Sequence, residues 1–213
     1  MLLALLLSGP ALASKPFATR IDGCVLDGRL YDVQGDTAYP IGIALDLARY
    51  EGKRIAVEGT LSPRDRFSAR GAVSVVSPRC PKRMRQAIAW DQAVNLRIAA
   101  GRAAEAGDFP TALDLVAQAM QRYTPPDCDA YADRATIYAQ MGDIPAATED
   151  LVRIQHKRCA RSSQVNFLLL EHLGDALLAQ GELALAKDAY QVAVEGCGGA
   201  SYCERLVGKA AGE

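Results

Sequence analysis

The chain has 213 residues, half of them hydrophobic, with 24 Lys and Arg against 25 Asp and Glu. A net charge of −1 excludes a protein that holds nucleic acid by bulk electrostatics. The length fits one or two domains, and the six cysteines ask which redox compartment the chain occupies.

The first residues, MLLALLLSGPALAS, answer that question. Leu2 to Leu7 form a short apolar run, and Ala11-Leu12-Ala13 is a small-x-small cleavage site before Ser14. Residues 1–13 therefore read as a secretory signal peptide, although no Lys or Arg follows Met1. The run is too short to span a bilayer, and no later segment approaches spanning length. Cleavage leaves 200 residues, and the expected location is the periplasm. All six cysteines, at 24, 80, 128, 159, 197 and 203, fall after the cleavage site. An even count in an exported chain predicts three disulfides.

Residues 14–83 carry a net charge of +4 and change character every few residues. Gly23, Gly28, Gly35, Pro40, Gly52, Gly59, Pro63 and Gly71 separate five runs of β type. These are residues 24–26, 29–33, 39–43, 54–61 and 72–76. In the fourth, Ile55, Val57 and Leu61 share one face while Arg54, Glu58 and Thr60 share the other, as a half-buried strand requires. Residues 45–50 form one helical turn between the third and fourth runs. Five short strands in so few residues predict a small closed or nearly closed β-barrel, whose closure protects strand edges.

The order of these elements is similar to an OB-type barrel, and LDLARYEGKRIAVEGTLSPRDRF resembles small OB-like domains of exported bacterial proteins. Oligonucleotide binding by such a barrel needs exposed aromatics interleaved with a basic groove. Here the cations Arg64, Arg66, Arg70, Arg79, Lys82 and Arg83 accompany only Phe17, Tyr31, Tyr39, Tyr50 and Phe67, several of which the core needs. A solvated basic loop or a basic contact surface for a protein partner fits better, and no nucleic acid is expected. Cys24 lies in the first strand and Cys80 just after the last. Proximity of first and last strands predicts that they pair.

Residues 84–213 carry a net charge of −5, are rich in Ala, Leu, Gln, Arg and Glu, and have helical periodicity. Gly107-Asp108, Gly142-Asp143 and Gly181-Glu182 recur at intervals of 35 and 39 residues. In the first unit Leu96, Ala99, Ala100 and Ala103 lead to Ala112, Val116 and Ala119. In the second Tyr131, Arg134, Ala135 and Tyr138 lead to Ala147, Leu151 and Ile154. In the third Leu170, Leu173, Gly174 and Leu177 lead to Ala186, Tyr190 and Ala193.

Here the chain resembles the tetratricopeptide-repeat (TPR) family over roughly residues 93–199. The third unit matches best, with Leu173-Gly174 at the family's Leu-Gly and Tyr190 at its Phe. In the second, Arg134-Ala135 replaces Leu-Gly, which predicts a looser helix contact. The fold class expected is multidomain α+β: a small OB-like barrel, then three helical hairpins and a short capping helix. Gly at each turn would accept a left-handed conformation, and the Asp or Glu after it would cap the following helix. Antiparallel helices bring Cys128 to Cys159 across the open end of the second hairpin, and Cys197 to Cys203 would fix a capping helix over about residues 201–209.

The resemblance implies a partner groove lined by the first helix of each hairpin. Position by position it takes Arg97 and Glu105 from the first unit and Asp129, Asp133, Thr136 and Gln140 from the second. The third contributes Glu171, His172 and Asp175. The Lys and Asn set with which some members clamp a C-terminal carboxylate is missing, and so acidic a groove should prefer a neutral-to-basic segment. A further cluster, Arg153, Lys157, Arg158 and Arg161, ends a helix. It reads either as dipole complementarity or as a basic docking patch.

Catalysis is not expected. The two histidines, His156 and His172, stand in no HExxH, GxSxG, Walker or Rossmann pattern. Every cysteine has a structural role, and no metal or cofactor is implied. The sequence thus reads as an exported, non-enzymatic adaptor, assembly factor or scaffold that binds envelope proteins through the groove and the barrel surface. The alternatives are a permanent subunit of an envelope complex and, more distantly, a ligand site or enzyme in the barrel. The oligomeric state is left open.

Overall fold

The computed structural model describes residues 17–34, 37–62, 66–124, 128–156, 166–197 and 201–212. The signal-peptide reading of residues 1–13 lies outside them. The chain divides into two compact units, Met1–Ile88 and Ala89–Glu213. Among the described residues no helix is long and apolar enough to cross a membrane.

Among the described residues the first unit holds six strands: β1 (Phe17–Leu26), β2 (Arg29–Gln34), β3 (Thr37–Ile43), β4 (Arg54–Ser62), β5 (Arg66–Ala69) and β6 (Ser74–Ser77). A 3-10 turn at Ala48–Tyr50 separates β3 from β4. Antiparallel pairs join β1 to β2, β2 to β3 and β4 to β5, and β3 meets β5 in parallel. Pairing of β1 with β4 along Phe17–Cys24 then closes a five-stranded OB-like barrel. The order of the chain sets this closure. Asp27 (φ 51°) and Gly28 (φ 68°) make the tight two-residue turn that positive φ permits. Glu51 accepts hydrogen bonds from both their N–H groups, at 2.9 and 3.0 Å. Ile21, Val25, Leu30, Leu47, Tyr50, Ile55, Val57 and Phe67 form the barrel core.

Two expectations are corrected here. The fifth strand of the ring is Arg66–Ala69, not residues 72–76; it grows out of the basic stretch that reads as a loop, because Phe67 enters the barrel core from there and Ala69 packs against it. Residues 74–77 instead form β6, which pairs only with the start of β4 among the described residues. Cys24 and Cys80 are bonded with Cα atoms 5.7 Å apart, but not because first and last strands touch. Cys24 pairs with Arg54 on one side of β4, and Cys80 donates its N–H to Gly52 O at 2.8 Å on the approach to that strand. The bond spans 56 residues, which in the loop-entropy account stabilises the barrel by about 4 kcal/mol. A second cluster, Cys24, Tyr31, Ala38, Cys80, Ala87 and Ile88, packs the start of the next helix on the outside of β1 and β2.

The helices are α1 (Lys82–Glu105), α2 (Phe109–Arg122), α3 (Cys128–Met141), α4 (Ile144–His156), α5 (Phe167–Ala179), α6 (Leu183–Gly196) and α7 (Ser201–Ala211). They form the three expected hairpins and the capping helix. Gly107, Gly142 and Gly181 have φ of 79°, 80° and 82°, the left-handed value that ends one helix and turns into the next. Asp108 and Asp143 then cap α2 and α4 by accepting from Thr111 and Ala146 N–H, each at 3.2 Å. Glu182 makes no such bond.

Hairpins two and three share one core with α7, whose Leu206 is fully buried. Cys197 and Cys203 are bonded at its start, Cα atoms 5.9 Å apart. Cys128 is also disulfide-bonded; Cys159, the partner expected for it, lies outside the described residues, as do Lys157, Arg158 and Arg161 of the basic cluster. Its remaining member, Arg153, pairs with Glu149 and with Asp150.

Candidate partner-binding face of the helical array

Asp150 and Glu171 are the two buried charged side chains among the described residues, and each marks a joint. Asp150 belongs inside hairpin two. Its carboxylate accepts Arg134 Nε and Nη2 at 2.7 and 2.8 Å, a two-pronged bond between α3 and α4. That hydrogen bond, then burial acting against it, leave the Arg134 guanidinium pKa above its usual value. At the position of Leu173 in hairpin three, hairpin two thus carries an ion pair across its two helices in place of an apolar contact.

Glu171 belongs to a joint between first helices. It lies 3.0 Å from Arg205 and 2.8 Å from Lys209, both on α7. Lys209 also reaches Asp175 at 2.6 Å and stands 5.3 Å from the centre of the Tyr190 ring. The Tyr190 hydroxyl donates to Asp175 at 2.6 Å. Burial pushes the Asp175 carboxyl up, but hydrogen bonds from Lys209 and Tyr190 outweigh it and hold the pKa below the usual range. Lys209 is the mirror case. Burial lowers its pKa, and hydrogen bonds to Asp175 and Glu171 raise it further than burial depresses it. Burial and Asp175 together push the Tyr190 phenol above its ordinary pKa.

A matching joint links α1 to α3. Arg97 lies 3.3 Å from Asp129 and 2.5 Å from Asp133. Asp129 also accepts the N–H of Asn166, the residue that caps α5, at 2.8 Å. The repeat register relates these two joints, although the α3–α5 joint between them has Ala132 at the corresponding position. Shifted by the repeat intervals, Arg97 corresponds to Glu171. Each reaches two residues spaced four apart on the next first helix: Asp129 and Asp133 on α3, Arg205 and Lys209 on α7. By that correspondence α7 stands where the first helix of a fourth hairpin would stand. The signs of charge are reversed between the joints, and the geometry is kept.

The face foreseen from sequence is therefore partly engaged within the array. Arg97, Asp129 and Asp133 hold one another, while Glu171 and Asp175 hold α7. Thr136 donates to Ala132 O at 2.9 Å within its own helix. Glu105, Gln140 and His172 are exposed. Spacing also brings Leu168 and Leu178 onto the stripe of α5 that carries Glu171 and Asp175, and both are exposed. Arg205 and Lys209 escape sequence reasoning, which reads Tyr190 only as a packing position of the repeat. The signal for the two cations was their four-residue spacing, the same as that of Asp129 and Asp133.

On the barrel, β1 and β4 floor a shallow depression of about 430 Å³ rimmed by Arg20, Glu58 and Arg70. None of the barrel's aromatics lines it among the described residues: Tyr31, Tyr50 and Phe67 are buried elsewhere in the unit, and Tyr39 is exposed.

The sequence matches no protein-family model and no curated protein. Among solved structures it is similar to the first TPR of Spaghetti (RPAP3) bound to the HSP90 peptide SRMEEVD, at 17% identity and a TM-score of 0.42, covering 58% of this chain and 95% of that one.

Proposed function

We propose that this is an exported, non-enzymatic protein that binds a protein partner of the cell envelope through the face formed by α1, α3 and α5, as an adaptor, assembly factor or scaffold. The observation that carries the reading is the pair of equivalent joints. Arg97 with Asp129 and Asp133, and Glu171 and Asp175 with Arg205 and Lys209, hold the first helices in register before any partner arrives. A preformed face loses little ordering entropy on binding. Between the joints, Gln140, His172, Leu168 and Leu178 offer polar and apolar contacts. The exposed Glu105 favours a neutral-to-basic segment. Export rests on the apolar run and cleavage site at residues 1–13 and on the disulfides, which persist in an oxidising compartment.

The test is photo-crosslinking in intact cells with benzoylphenylalanine at Gln140 and, separately, at Leu178. A discrete protein adduct shared by both positions, and reduced by Glu105→Lys, is the expected result. No adduct at either position from a folded, exported protein would sink the reading.

A further inference from the structure

Each strand of the barrel ring, β1 to β5, pairs on both sides. β6 stands outside that ring. One of its edges pairs with residues 54–56 of β4, and the other meets no strand among the described residues. Such an outer edge presents backbone N–H and C=O groups to which an extended segment can add itself as a further strand. The register slips at Val76, since Val75 pairs with Ile55 and Ser77 with Arg54. The extra residue interrupts the alternation of the strand, and Val75 and Val76 are 51% and 44% exposed. Among the described residues of the first unit, Tyr39 is the other exposed large hydrophobic side chain, so two of three lie on the open edge. The strand is short and Pro78 follows it, which limits an added strand to a few paired residues.

Charge selects the occupant. Residues 66–90 carry six cations, Arg66, Arg70, Arg79, Lys82, Arg83 and Arg85, and no Asp or Glu. Arg70 and Arg79 flank β6 on either side; both are exposed, and neither is in an ion pair among the described residues. The acids on neighbouring strands do not offset them. Asp22 is engaged by Arg54 at 2.7 Å, and Glu58 stands opposite Arg20 of β1, beyond the stretch of β4 that β6 covers. Two copies paired edge to edge would set these arginines against each other, and like charges facing across strands destabilise the pair. An acidic strand meets the same cations favourably. Free backbone groups pair with another backbone, which a lipid surface does not supply, and exposed valines match apolar side chains, not phosphates. We infer that the outer edge of β6 is a docking site for an extended, acidic segment of a partner protein. The segment adds a strand beside Ser74–Ser77, lays apolar side chains on Val75 and Val76, and sets carboxylates against Arg70 and Arg79. This rests on the protein-binding reading above and gives the barrel its own contact with a partner.

The full-length exported protein, with its disulfides intact, is titrated with a fluorescent peptide of about ten residues in which Val and Thr alternate with Asp and Glu. One comparison peptide carries Lys in place of the acids. Another is acidic but has N-methyl groups on its central backbone amides. Anisotropy should show saturable binding of the acidic peptide, weakened about tenfold or more by either change. Amide exchange should slow in Ser74–Ser77 when it binds. Arg70→Glu and Arg79→Glu, both exposed and outside the strand, should each weaken binding about fivefold with circular dichroism unchanged. No binding, equal binding of acidic and lysine peptides, an unaffected N-methylated peptide, or slowed exchange confined to other residues would overturn the proposal. So would an affinity that neither arginine variant changes. Protection of Ser74–Ser77 by phosphatidylglycerol vesicles and not by the peptide would assign the edge to a membrane surface. The same protection on self-association of the protein alone would make the occupant a second copy, and either result overturns the proposal. Crosslinking at Gln140 and Leu178 without a peptide response at β6 would remove this edge alone. Failure of both would remove the binding reading itself.

Discussion

Hairpins two and three are built on the same plan and filled differently. At the point where the helices approach most closely, hairpin three places Gly174 under the ring of Tyr190, whereas hairpin two has Ala135 and Leu151 at the same positions. Hairpin one has Ala100 and Val116. As one partner grows from Val to Leu to Tyr, the other shrinks from Ala to Gly, so the summed volume stays near what close packing allows. One turn away the contrast is chemical. Hairpin three has Leu173 and Ala189, both fully buried, and hairpin two has Arg134 and Asp150. An apolar pair and a doubly hydrogen-bonded ion pair fill one geometry. The lesson is that the repeat specifies volume and register, and leaves polarity free wherever a partner can be supplied.

The ion pair is the place where the two hairpins are most easily told apart. A buried pair gains little over well-packed apolar residues, but removing one member strands the other. Asp150→Ala should therefore destabilise the protein by about 3–5 kcal/mol, measured by chemical denaturation with the disulfides intact. Adding Arg134→Leu to it recreates the Leu173–Ala189 arrangement of hairpin three and should recover most of the loss. A double variant no more stable than Asp150→Ala alone would show that the hairpins are not interchangeable at this position.

The close approach gives a smaller effect. A Cβ on Gly174 would stand 2.3 Å from Cε1 of Tyr190, so the ring must move. Gly174→Ala should cost about 1–3 kcal/mol from overpacking, partly offset by a gain of about 1 kcal/mol in helix propensity. Tyr190→Leu in that background copies the Ala135–Leu151 pair and should restore stability, although it removes the phenol from Asp175. Stability unchanged by Gly174→Ala would mean that Tyr190 is free to shift, and that Gly there is not required by contact.

Much of this plan is legible in the sequence. Glycines at three turns, small residues at helix crossings and a period of two in β4 are local signals, and each fixes its element without knowledge of the rest. What escapes is non-local. Nothing near Arg134 announces that Asp150, sixteen residues on, will face it; the arginine reads as a lapse in the pattern until both helices are in place. Arg66–Ala69 looks like loop because its alternation is too short to register, and only closure of the barrel makes it a strand. The candidate face is legible as a set of positions but not as a set of free groups. Glu171 and Asp175 occupy the expected helix face, yet the cations they meet come from α7, whose docking depends on Leu206 and on the Cys197–Cys203 bond.

The helix starts give the finest distinction between the two hairpins. Asp143 caps α4 through a hydrogen bond to Ala146 N–H at 3.2 Å, while Glu182 at the start of α6 makes none. The longer Glu side chain does not fold back onto its own helix terminus here, and the charge alone remains to act on the dipole. Asp143→Ala should then cost about 1 kcal/mol, because it loses both the cap and the charge. Asp143→Asn keeps an acceptor and should lose only the charge contribution, about 0.3–1 kcal/mol at low salt. At Glu182 the two kinds of change should be equivalent, since Ala and Gln both remove charge and neither removes a bond. Amide exchange in the first turn of each helix reads this directly. α4 should fray in Asp143→Ala and hold in Asp143→Asn, whereas α6 should respond alike to Glu182→Ala and Glu182→Gln, and raising the salt should erase that response. A Glu182→Ala variant that frays α6 as strongly as Asp143→Ala frays α4, at any salt concentration, would show that Glu182 caps in solution as Asp143 does.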